Sequence, residues 1–152
     1  MKDNKFQAVE RKLRNYPVLK VDLKNLEIDL EEAQEVIGIT GESSNEKAGS
    51  PTHAFSSSVE NEVIQRQKKV EHIKMQIKQK EREIAKIENV LQILTDREMM
   101  MVEFRYFKDY SINRVCELLE ITPTTFSNRK KKIIVKKLMP RFFADNLYKK
   151  CI

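Results

Sequence analysis

Between Val59 and Leu94, side chains recur in alternating steps of four and three: Val59, Val63, Arg66, Val70, Ile73, Ile77, Lys80, Ile84, Ile87, Leu91 and Leu94. Nine of these eleven positions are apolar, and the span holds neither glycine nor proline. This is a heptad seam, and it predicts one helix of roughly 54 Å. So narrow a stripe stays wet on a lone helix, so the chain must supply a second helix to cover it. Arg66 and Lys80 interrupt the seam and are positioned to fix its register.

The covering helix is legible upstream. Tyr16, Leu19, Leu23, Leu26, Leu30, Ala33 and Ile37 form a second seam, which Val9 and Leu13 extend backwards. Pro17 suits the first turn of a helix, or kinks a longer one that begins near Lys5. Gly38 is expected to end the pattern. Residues 38–58 contain all three glycines and six serines without any period, and read as a flexible loop. Residues 1–94 are therefore expected to form a long-helix, antiparallel coiled-coil hairpin closed by that loop. If the first helix starts only at Pro17, the surplus seam calls for another chain or domain, and a homo-oligomer through the coiled coil is one way to supply it.

From Thr95 the period changes and the helices shorten. Thr95-Asp-Arg-Glu98 is a capping box that starts a new helix, with apolar residues Met99–Val102, Phe104, Tyr106 and Phe107, ending near Asp109. Ser111 caps a second helix that should bury Ile112, Val115, Cys116, Leu118 and Leu119. Thr122 caps a third, with Pro123 at its first position. Phe126, Ile133 and Leu138 are expected to face inward there, with Ile134 at the edge. Residues 95–152 thus read as a helix-turn-helix domain. The fold class is all-α: with three glycines, 7% aromatic residues and no tryptophan, the composition argues against a β-sandwich or a catalytic α/β fold.

Charge singles out the same end. The net charge is +6, and residues 95–152 carry thirteen basic against seven acidic residues. No acid occurs between Ile121 and Ala144, whereas Arg129, Lys130, Lys131, Lys132, Lys136, Lys137 and Arg141 do. A local cationic excess points to an anionic partner. On the third helix, Thr124, Thr125, Ser127, Asn128 and Lys131 fall on the face away from Phe126. Asn and Thr can read base edges, while Arg and Lys reach phosphates, so this helix suits the major groove of double-stranded DNA.

These residues carry a resemblance. Leu94-Thr-Asp-Arg-Glu, the run from Ser111 to Thr122, and Phe126-Ser-Asn-Arg resemble the −35-binding domain of bacterial sigma factors. The whole chain is similar to the RinA/ArpU-like regulators of phage late genes in Gram-positive bacteria, through Leu13-Arg-Asn-Tyr16 and the Ser-Val-Glu-Asn-Glu run from Ser58 to Glu62. The resemblance implies a DNA-binding transcriptional activator of phage or prophage late genes, acting in the cytoplasm of a bacterial host, with RNA polymerase as a candidate second partner. It implies base reading by Thr124, Thr125, Ser127 and Asn128, with Thr122 and Lys131 near the backbone; Arg129 and Lys132 complete the expected DNA-binding set. Glu120 stands where the sigma pattern usually has glycine, so a reshaped turn is expected there.

Other classes find less in the sequence. His53 and His72 belong to no metal or catalytic pattern, and no GxxxxGK[ST] or GxGxxG loop occurs, so neither an enzyme nor a cofactor or metal site is expected. No run of about 18 apolar residues occurs, so no membrane partner is expected either. The rival readings are a phage small terminase subunit recognising packaging DNA, and a coiled-coil adaptor whose basic end binds an acidic protein.

Overall fold

The computed structural model describes the backbone of residues 2–42 and 53–144. Among the described residues there is no strand. The order is α1 (Lys2–Glu42), α2 (His53–Leu91), α3 (Asp96–Val102) continuing as a π-helical segment Glu103–Phe107, α4 (Ile112–Leu119), α5 (Pro123–Lys132) continuing as a second π-helical segment Ile133–Leu138, and α6 (Met139–Phe142).

Two of the expected boundaries are corrected. Gly38 does not stop α1, which runs on to Glu42, and α2 begins at His53 rather than Val59. An interior glycine costs about 1 kcal/mol, which a 41-residue helix absorbs. Of the loop expected over 38–58, only 43–52 lie outside the described residues. Pro17 lies inside α1, which takes the longer of the two starts considered for it. Its ring removes one donor at a cost of about 3 kcal/mol, and buried Val9, Leu13 and Leu19 on either side offset it.

The contacts divide the chain at other places than the change of period does. One compact unit joins the described residues of Met1–Lys20 and Glu83–Ile152; the other is Val21–Arg82. In the first, Val9, Leu13, Val102, Val115, Phe126, Ile134 and Leu138 are all sealed from solvent. Polar ties surround that core. The Tyr106 hydroxyl donates to Glu10 Oε1 at 2.8 Å, and Lys130 Nζ lies 3.4 Å from the same oxygen. Burial, then the bond to Glu10, pushes the Tyr106 phenol above its ordinary range. The Tyr16 hydroxyl donates to Glu88 Oε1 at 2.7 Å, while its ring lies 4.8 Å from that of Phe107.

In the second unit α1 and α2 run antiparallel. Lys80, one of the two charged seam positions, donates to Asp22 Oδ2 across the pair at 3.0 Å. Val70 and Ile73 are buried, but Leu23, Leu26, Leu30, Ala33 and Ile77 are only half-buried, and Val59 and Val63 are exposed. Arg66, the other charged seam position, pairs with Glu62 on its own helix.

Candidate nucleic-acid interface

The candidate interface is built on α4, the turn after it and α5. Ser111 Oγ accepts from the Arg114 N–H at 3.2 Å and starts α4. Val115 and Cys116 anchor that short helix in the core. Ile112 and Leu118, expected inside, are about 40% exposed. An eight-residue helix has one narrow inner face, and Val115, Cys116 and Leu119 fill it.

Helix α4 ends on Glu120, whose backbone is left-handed (φ 52°, ψ 46°). Its N–H donates to the Glu117 carbonyl, and the Ile121 N–H donates to the Cys116 carbonyl at 3.0 Å. These two bonds are a Schellman cap, which favours glycine at this position. The turn is therefore not reshaped by the acid. It keeps the left-handed residue, at a cost of about 1–2 kcal/mol.

Thr122 then starts α5. Its Oγ1 accepts from the Thr125 N–H at 3.2 Å and lies 2.9 Å from the Thr125 hydroxyl. Thr125 is accordingly half-buried and its hydroxyl is engaged within the cap. Thr122, Thr124, Ser127, Asn128, Arg129, Lys131 and Lys132 are exposed, with Phe126 fixing the opposite face in the core. Ile134 is fully buried rather than at the edge. Ile134 shares the inward arc with Ile133 and Leu138, and the π winding of 133–138 narrows that arc: five residues of α-helix overshoot a full turn by about 140°, whereas a π turn brings Leu138 back over Ile133. Ile133, Ile134 and Leu138 all reach the core in this way.

The cations of this region sort into two groups. Lys130 is held by Glu10, and Lys137 donates to Glu98 Oε2 at 2.6 Å. Partial burial raises the Glu98 carboxyl, but the Lys137 bond and the Thr95 N–H outweigh it, so its pKa lies below the ordinary value. Among the described residues, Arg129, Lys131, Lys132 and Lys136 have no ion-pair partner and are exposed. Four unneutralised charges on one helical segment form a row of positive potential.

Arg97 was not singled out by sequence reasoning. It comes from the first turn of α3 and joins Arg129 and Lys132 around a cavity of about 240 Å³ that Met101, Leu119 and Ile133 floor. Its place inside the capping box was legible, but its approach to α5 is a tertiary fact with no local signal. Glu98, in the same box, serves two partners: its Oε2 accepts from the Thr95 N–H at 2.9 Å as well as from Lys137. This ties the start of α3 to the segment that follows α5.

Among the described residues no three His, Cys, Asp or Glu side chains gather as metal ligands would. Nor is any helix there long and apolar enough to cross a membrane. Cys116 is a buried free thiol, while Cys151 lies outside the described residues. No protein-family model, curated protein or solved structure matches this chain at a significant level.

Proposed function

We propose that this protein is a sequence-specific DNA-binding transcriptional regulator, with α4 and α5 forming a helix-turn-helix and α5 entering the major groove. The observation that carries this reading is the pairing of short polar side chains at the start of α5 with unneutralised cations farther along it. All of them are exposed; in this reading Thr124, Ser127 and Asn128 meet base edges, and Arg129, Lys131, Lys132 and Lys136 meet phosphates. Thr125 contributes its methyl face, because its hydroxyl is engaged with Thr122. Arg97, beside Arg129 and Lys132, adds a phosphate contact from α3. In this reading the antiparallel α1/α2 pair is a coiled-coil hairpin. The resemblance to RinA/ArpU-like regulators supports the narrower proposal of an activator of phage or prophage late genes in the bacterial cytoplasm, with RNA polymerase as a second partner.

The test is binding of the full chain to late-promoter and random duplexes between about 50 and 200 mM salt. Five neutralised phosphates give a slope of log K against log salt of about −4 to −5. Asn128→Ala is expected to cost roughly 1–3 kcal/mol on the preferred site and little on random DNA, because its amide can bond adenine N6 and N7 together. A slope near zero overturns DNA binding. An intact preference in the Asn128 variant overturns the assigned docking, and preference for packaging-site DNA over promoter DNA favours the terminase reading.

A further inference from the structure

The unit Val21–Arg82 leaves one groove open along its two helices. Leu26, Ala33, Val36 and Ile73 give it an apolar floor; Asp29 and Glu32 line the α1 rim, Arg66 and Lys69 the α2 rim, and its volume is about 520 Å³. The rims are part of a wider asymmetry. Residues 21–36 of α1 carry six acidic residues and only Lys24 as a base, whereas residues 58–82 of α2 carry seven basic residues against four acidic. One hairpin therefore presents an acidic helix and a basic helix side by side, with a half-wet apolar strip between them.

We infer that this groove is covered by the same groove of a second copy of the chain, giving four helices around one shared core. A two-fold axis through the strip brings α1 of one copy onto α2 of the other, so that Glu32 faces Lys69, with Asp29 and Arg66 flanking that pair, twice over. Arg66, already paired with Glu62 on its own helix, then faces acids from both sides. The charge pattern selects this geometry. Contact through the opposite face of α1, where Val21 and Ile28 are more than half exposed, would set two acidic helices against each other. The seam explains why a cover is needed: Leu23, Leu26, Leu30, Ala33 and Ile77 stay half-buried in a two-helix layer, and a four-helix bundle encloses such positions. The inference concerns this unit only, and stands or falls independently of DNA binding.

Sedimentation equilibrium of the full, nucleic-acid-free chain tests it. The chain is expected to be dimeric at about 100 µM in about 50 mM salt, where exposed pairs are least screened. Glu32→Lys and Lys69→Glu should each weaken the dimer at least tenfold, since the symmetry repeats every repulsion. The double variant E32K/K69E should restore most of the loss. Circular dichroism checks that the exposed substitutions leave helicity unchanged. A monomer under these conditions, a trimer or larger assembly, a dimer indifferent to the single reversals, or a double variant as weak as the singles each overturns the inference.

Discussion

The two units use the same heptad rule to different effect. In the unit that contains α3 to α6, Val9 and Leu13 of the α1 seam are fully buried, and Ile84, Ile87 and Leu91 of the α2 seam nearly so. In the unit Val21–Arg82, the seam continues without a break, yet only Val70 and Ile73 are buried. The spacing is unchanged, but a third layer of helices closes the first core and is missing from the second. Heptad periodicity specifies which face is apolar; how dry that face becomes depends on the layers packed against it.

Paired truncations are the most direct way to break this comparison. Leu13→Ala should cost about 2–5 kcal/mol, since it opens a cavity where nothing can collapse easily. Leu23→Ala, half-exposed beforehand, should cost about 1 kcal/mol. Urea unfolding separates them by two readouts. The described tyrosines Tyr16, Tyr106 and Tyr110 all lie in the first unit, so their fluorescence reports it alone, while helical dichroism reports both. Equal costs would show that the difference in burial has no energetic counterpart.

Acid titration sharpens the same contrast at smaller scale. The folded pKa of Glu98 lies below the ordinary 4.5, so its bond to Lys137 stabilises the first unit above that pH. The contribution disappears as pH falls through the lowered folded value. The stability of the first unit, read by tyrosine fluorescence between pH 7 and 3, should therefore fall on acidification. Glu98→Gln should make that fall shallower. An unchanged acid limb in the variant would place the sensitivity elsewhere.

The smallest expected effect concerns Glu120. Glycine there removes the left-handed penalty but loosens the unfolded chain, so Glu120→Gly should stabilise the first unit by about 1 kcal/mol. A loss of stability on thermal melting would mean that the carboxylate itself contributes to the turn.

How much of this was legible depended on how local each cause is. The caps at Thr95, Ser111 and Thr122 involve residues three apart, and all three bond as their sequence pattern specifies. Both seams were readable because periodicity is repeated evidence. Gly38 misled because a single weak residue does not outweigh the helix around it. Ile134 misled because its burial depends on what packs against it, which leaves no mark in a helical count. In the candidate site, exposure of Asn128 and Lys131 followed from the helical face, whereas the capture of Lys130 by Glu10 depends on a residue 120 positions away. Distance along the chain likewise hides the approach of Arg97 to Arg129.

That separation also bears on how the chain is made. Val9 and Leu13 leave the ribosome about 130 residues before Leu138, beside which they share a sealed core. At roughly 5–20 residues per second, the nascent chain carries these side chains without their final cover for on the order of ten seconds. During that interval α1 is an amphipathic helix whose apolar stripe is open to chaperones and to other nascent chains. Pairing with α2 in the unit Val21–Arg82 can form from shorter-range contacts well before synthesis reaches α5. That helix pairing then does kinetic work, shortening the loop that must close before the last core contacts are made.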